Sequence, residues 1–276
     1  MALLIVMPLS IAECGNSEKN TKRDAGAILL GLDSCNGSTE LRRAGAPRSY
    51  ATSFESLNDF SGFYIVPPDY HASCSHEQSS ERVRTGSFSH RGWIYSSYSP
   101  STPFINNNHR GYPAIQLHKL AGGPFVTPCL ITLWVWLDVT LRAASPENEW
   151  FSLATITDDA SDGWNNSVCV NVSYDGFLHL MHVPSPGLKQ YIFQTATVIF
   201  PMRSWVKIEI YADFKNSGGY IKVRQDGVLV SHAPVNCRGK ALAQAHFGLY
   251  APPSLSSGVV FNDDLLIEEI DADPWQ

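Results

Sequence analysis

The stretch Pro128-Cys-Leu-Ile-Thr-Leu-Trp-Val-Trp-Leu-Asp138 alternates without a break. Ile131, Leu133, Val135 and Leu137 fall on one face of an extended chain, and Thr132, Trp134, Trp136 and Asp138 on the other. A period of two sustained over that length excludes an amphipathic helix and asks for a strand with a core on one side. The paired tryptophans fit either a sugar-stacking platform or a second buried face, and burial is the reading favoured.

The same period returns later in the chain. Residues 205–211 turn Val206, Ile208 and Ile210 to one side. Residues 220–230 form a hairpin about Asp226-Gly227, with Tyr220, Lys222 and Arg224 on its polar face. In 245–250, Phe247 and Leu249 point one way and His246, Gly248 and Tyr250 the other. A long final strand spans 258–270, broken by Asn262-Asp-Asp264. No segment shows a sustained helical period, and 20 Gly, 17 Pro and 11% aromatics suit short strands joined by turns. The expected fold is all-β, a sandwich of two antiparallel sheets over residues 60–276. Its core should include Ile115, Leu117, Leu133, Val135, Ile208, Ile210, Phe247 and Leu249.

The remainder of the chain reads differently. Residues 1–14 hold an apolar run of signal-peptide length ending in Ile11-Ala12-Glu13-Cys14, which resembles a lipoprotein cleavage box. Export follows as the expectation, to a secreted or extracytoplasmic location, with Cys14 as a candidate lipid anchor. Residues 15–59 read as a polar linker and irregular entry, with a candidate edge strand at 27–33. The six cysteines include no C-x-x-C pair, so neither they nor any other pattern predicts a metal, and Cys129, Cys169 and Cys237 fit core positions. Glycosylation sequons stand at Asn36, Asn165 and Asn171. The acidic run 158–164 departs from the twelve-residue calcium loop. His179 and His182, three apart, fall on opposite faces of a strand, which rules out a shared metal. A net charge of −6 argues against a nucleic-acid partner.

The candidate site starts from Tyr112-Pro-Ala-Ile-Gln-Leu-His118. Read as a strand, it buries Ile115 and Leu117 and aligns Ala114, Gln116 and His118 on the opposite face. Arg82, Arg84 and Arg91 lie within ten residues of one another, beside His90, and guanidinium groups pair with carboxylates in a fixed fork. If the strands carrying Gln116-x-His118 and His246-x-x-x-Tyr250 share one curved sheet, these side chains line one groove. The arginines would form its positive rim, and Tyr220, Lys222, Arg224 and His246 would bind substrate.

Gln116-Leu-His118, Gly248-Leu-Tyr250 and the strands from 205 onward resemble concanavalin A-like jelly-roll polysaccharide lyases, of the heparin lyase I-like and alginate lyase-like families. The resemblance covers about residues 81–270. It implies β-elimination from a uronic-acid polymer, with Gln116 and an arginine holding the carboxylate and Tyr250 with His118 moving the protons. It implies an acidic polysaccharide as partner, a monomer, and no metal or organic cofactor. The alginate lyases carry Lys where this chain has His246, which leaves the polymer open. Retaining glycosidases of the same fold use Glu-x-Asp-x-Glu, whereas Glu268-Glu-Ile-Asp271 has other spacing. A non-catalytic carbohydrate-binding or adhesion module needs only the fold and exposed aromatics, and is the alternative.

Overall fold

The computed structural model describes residues 45–60, 63–65, 73–99, 108–142, 149–185, 187–192, 194–237, 239 and 241–276. The expected signal at 1–14, the anchor at Cys14, the edge strand at 27–33, Cys35 and the Asn36 sequon lie outside the described residues. In chain order the strands begin with β1 (Ser49–Thr52), β2 (Phe63–Ile65), β3 (Cys74–Ser79), β4 (Ser89–Ile94), β5 (His109–Gly111) and β6 (Pro113–Ile115). After a 3₁₀ turn at Leu117–Lys119 come β7 (Phe125–Val126), β8 (Cys129–Asp138), β9 (Trp150–Thr157), β10 (Val168–Ser173), β11 (Leu178–Ser185) and β12 (Leu188–Ile192). The rest are β13 (Trp205–Asp213), β14 (Gly219–Gln225), β15 (Val228–Val235), β16 (Ala241–Leu242), β17 (Gln244–Ala251) and β18 (Gly258–Glu269).

These strands make two packed sheets and a two-stranded ribbon of β7 with β16, with every pairing antiparallel. The first runs β15-β14-β13-β8-β18-β4-β3, with β1 also on β18. The second runs β12-β11-β10-β9-β17-β6-β2, with β5 also on β17. This is the expected all-β, concanavalin A-like sandwich. Because β1 pairs with Leu265–Glu268 of β18, the folded sheet takes in residues ahead of 60.

Alternation accounts for the core. Leu133, Val135, Ile208, Ile210, Phe247 and Leu249 are all buried between the sheets, joined by Phe151, Val170 and Ile267. On β8 and β13 the apolar residues meet in register, Leu133 opposite Ile208 and Val135 opposite Val206. Each such aliphatic side chain contributes about 1.5–3 kcal/mol by leaving water. β9 carries one extra residue relative to β10 at Leu153, so Leu153 and Ala154 both join the core. The four described cysteines, Cys74, Cys129, Cys169 and Cys237, are all buried.

The sheets do not stay a uniform distance apart. A Cβ on Gly92 of β4 would sit 2.4 Å from the Gly111 carbonyl oxygen and 2.9 Å from Leu249 Cβ. One on Gly111 would sit 2.5 Å from the Ser75 carbonyl oxygen, and one on Gly248 2.7 Å from a His90 ring carbon. Sandwich sheets usually stand about 10 Å apart, so here the absence of side chains lets β3 and β4 close onto β5 and β17. Gly248 also has φ of +130°, at the irregularity where β17 slips against β9. Gly92→Ala has backbone on one side and a packed leucine on the other. We expect it to cost about 1–3 kcal/mol, read as a lower urea midpoint at unchanged m-value.

Candidate active site

Burying Ala245, Phe247, Leu249 and Ala251 commits His246 and Tyr250 to the outer face of the second sheet. Register then sets their neighbours. Tyr250 lies opposite Arg110 of β5 and Ser152 of β9, Ser152 opposite Asn171 of β10, and Asn171 opposite His179 of β11. The result is a polar row across five strands. A second row runs Ala114, His246, Thr155, Cys169, Met181 and Tyr191.

Where the rows meet on β17, aromatic rings enclose the polar groups. Tyr112 stacks on His246, with centroids 3.7 Å apart and planes within 5°. Trp164 lies 5.0 Å from the same imidazole and Tyr250 5.3 Å, edge-on. Trp150 packs 5.1 Å from Tyr250. Trp164 holds a left-handed backbone, φ 47°, which is rare for so bulky a residue.

Asn108 Nδ2 donates to the Tyr250 hydroxyl at 2.9 Å, and Arg110 also hydrogen-bonds it. Burial pushes the Tyr250 phenol above its ordinary value, while the Arg110 charge and these two hydrogen bonds pull it back. His246 is 3% exposed and its Nδ1 is buried without a partner. Burial, and then the Arg110 charge, holds this imidazole well below its ordinary value, so it is neutral at pH 7. Its face thus offers one fixed cation, a phenol held by two donors, and a neutral imidazole. That set can bind a carboxylate and move a proton beside it.

The structure brings together only part of the expected constellation. Tyr250 and His246 do share this site. The expected strand face carrying Gln116 and His118 does not form, because β6 ends at Ile115. Gln116 turns the chain with φ −90° and ψ 76°, and the next residues form the 3₁₀ turn. The His118 backbone N–H and the Nδ1–H of its ring both donate to the Ala243 carbonyl. Ala243 stands seven residues before Tyr250, about 23 Å along the strand. Leu117 is still buried, since a 3₁₀ turn can point it inward as well as a strand can.

The expected positive rim is also elsewhere. Arg82 and Arg84 stack on Trp136 and Trp134, with Cζ 4.1 and 4.3 Å from the ring centroids. Arg91 lies over Trp93 and pairs with Glu77 and Glu81. Lys222 pairs with Asp273, Arg224 stacks on Trp275, and the Tyr220 hydroxyl bonds His232 Nδ1. All six belong to the outer face of the first sheet, so the core stands between them and Tyr250. Trp136 is buried as expected, and Trp134 is half-buried beneath its arginine.

Two other polar segments serve the fold. Asp159 accepts from Ser161 N–H and from both the backbone and side-chain nitrogens of Asn165, so the acidic loop uses this carboxylate to fold itself. His179 donates to Asp175 and accepts from the Gln194 N–H, a structural role. Arg110 and Asn108 were missed because a three-residue strand inside Asn-Asn-His-Arg-Gly reads as loop. Alternation back from Ala114 through Tyr112 leads to Arg110 and was the signal available.

Fold and site together define a concanavalin A-like β-sandwich with a tyrosine-centred, aromatic-lined face. No family model matches the sequence, and no curated protein matches it. Among solved structures it is similar to the endo-β-1,4-glucuronan lyase of the fungus Trichoderma reesei, at 13% identity and TM-score 0.55, covering 82% of this chain and 98% of that one. It is similar too to the cellulose-induced protein Cip1, at 13% identity and TM-score 0.54, covering 81% and 100%. At this identity the likeness is one of fold.

Buried histidines make the fold sensitive to acid. His76, His90, His109, His182 and His246 all sit below the ordinary imidazole value, with burial the first cause in each. Unfolded, each binds a proton near pH ~6.5; folded, each does so only at lower pH. Stability is therefore intact above about 6.5 and is lost on acidification, until each histidine reaches its lower folded value. Asp263, lifted to about 6 by burial, binds its proton in the folded state and works against that slope below its own value. Urea midpoints should fall between about pH 7 and pH 5; a flat profile would contradict this account.

Proposed function

We propose that this protein is a polysaccharide lyase, cleaving a uronic-acid-containing polysaccharide by β-elimination on the outer face of the second sheet. The observation that carries the reading is the Tyr250 hydroxyl, held between Asn108 and Arg110 inside an aromatic enclosure. The fold likeness to a glucuronan lyase supports it.

Elimination needs the C5 hydrogen made acidic, and a cation beside the neighbouring carboxylate does that by stabilising the developing enolate charge. Arg110 is placed for that task, with neutral His246 as a further hydrogen-bonding group. Tyr250 as phenolate removes the C5 proton. The C5–H pair forms the C4–C5 double bond, the C4–O bond breaks, and the departing oxygen takes the proton back from Tyr250. One residue thus serves as base and then acid, and His118 and Gln116 are not needed at the reacting atoms. Trp164, half-buried at the edge of the enclosure, supplies a surface for a sugar ring.

A polymeric substrate fits the export expected from residues 1–14, with Cys14 as the proposed anchor. Among the described residues no helix is long and apolar enough to cross a membrane. The competing reading, carbohydrate binding without cleavage, is favoured by one observation. Burial raises the Tyr250 phenol, which suits a hydrogen-bond donor better than a base.

The test is a panel of uronate polysaccharides followed by the ultraviolet absorbance of the new double bond. Tyr250→Phe keeps the ring packing and should lower the rate by about 10²–10⁴-fold at an unchanged melting temperature. Near wild-type turnover in that variant would remove Tyr250 from the mechanism. Binding without any cleavage by the wild-type protein would favour the competing reading. The rate should climb with pH toward the tyrosine range near ~10. Arg110→Gln should move that limb higher, since the guanidinium favours the phenolate.

A further inference from the structure

The loop joining β3 to β4, residues 80–88, spends its acidic neighbours on its own backbone. Asp263 accepts from the Arg84 N–H at 2.8 Å and the Thr85 N–H at 3.3 Å. Asp264 accepts from the Thr85 hydroxyl at 2.6 Å and from Ser53. Glu55 accepts from the Ser87 and Phe88 N–H groups, and Ser89 Oγ donates to the Arg82 carbonyl. Three carboxylates thus fix the loop without touching the heads of its arginines.

Those heads are exposed and held. Arg82 lies over Trp136 and Arg84 over Trp134, two residues apart on one strand. Among the described residues neither guanidinium meets a carboxylate, whereas Arg91 beside them has two. Stacking on an indole fixes the plane of a guanidinium and leaves its N–H edge to solvent. Two unpaired forks side by side, in a chain of net charge −6, form a local cationic feature against the general field.

We propose that Arg82 and Arg84 form a second glycan-binding site, for a polysaccharide bearing carboxylate or sulfate groups, on the face opposite Tyr250. Each fork takes one acidic group bidentately, and the fixed spacing suits charges repeated along a chain. Glu77, Glu81 and Asp264 flank the pair and oppose a densely charged polymer. Duplex DNA carries a charge about every 1.7 Å, whereas a uronan carries about one per sugar, so the glycan is the better match. This site does not depend on the lyase reading. It would hold a polymer to the protein whether or not the other face cleaves it.

The test uses the full chain carrying Tyr250→Phe, titrated calorimetrically with an oligosaccharide of β-1,4-linked glucuronate. Adding Arg82→Gln with Arg84→Gln should weaken binding at one class of sites by about tenfold or more. Arg82→Lys with Arg84→Lys keeps the charge but loses the fork, and should give a smaller, clear loss. That pair also serves if the glutamine variant does not fold. Arg110→Gln should leave this class of sites intact. Unaltered binding in both double variants would overturn the proposal, as would loss of all binding in Arg110→Gln alone. A DNA duplex of matched total charge that competes as well as the oligosaccharide would also overturn it, by showing a general polyanion patch.

Discussion

Phe247 and Leu249, 2% and 0% exposed, tie β17 to the opposite sheet, and that burial governs what the protein can do on its other side. A strand has two faces, so fixing these two residues inward sends His246 and Tyr250 outward with no freedom to choose. Pairing with β5 and β9 then delivers Arg110 and Ser152 to either side of Tyr250. The slip at Gly248 keeps Leu249 in the core while the ladder changes step. A residue with a side chain at that position would drive His90 and β4 away. The chemistry of the outer face is therefore set by packing that none of its own groups takes part in.

Charge is distributed by a consistent logic. Carboxylates satisfy backbone N–H groups: Asp263 and Glu55 in the loop before β4, Asp159 in the loop after β9. Glu269, 3% exposed, takes the Arg48 backbone and side chain together with the Val126 N–H. The donors of Arg84, Asn165 and Val126 are part-buried and gain a partner in place of water, whereas those of Ser87, Phe88 and Ser161 stay near solvent. Arginines also lie over aromatic rings: Arg48 over Phe125, Arg91 over Trp93, Arg224 over Trp275. Acids holding backbone and cations covering indoles explains how an acidic protein shows bare guanidinium groups.

Much of the fold was legible because β8, β13, β14 and β17 are long enough for alternation to be unmistakable. In each, the residues read as inward are buried. Alternation states which way a side chain points relative to its own core, however, and not to which sheet its strand belongs. Tyr220 and Tyr250 were both read as outward, yet they leave the molecule by opposite faces, because sheet membership is fixed by pairings between residues far apart in the chain. The error at Gln116 and His118 is local. An apolar pair at Ile115 and Leu117 satisfies both a strand and a strand ending in a 3₁₀ turn. What decides is the Ala243 carbonyl, which belongs to a segment more than a hundred residues away. Arg110 was hidden by the brevity of β5.

Asn171 carries a further consequence. It heads an Asn-Val-Ser sequon, and it is 4% exposed on β10, paired on both sides by β9 and β11. A sugar tree on that amide would have to displace the neighbouring side chains that cover it on the outer face. In a cell that attaches N-glycans to emerging chains, the fate of this molecule would turn on a race between strand closure and the transferase. A glycan placed there would crowd the polar row that runs to Tyr250, whereas at the half-exposed Asn165 one could be carried at the surface. The choice of expression host is thus a structural variable for this sequence.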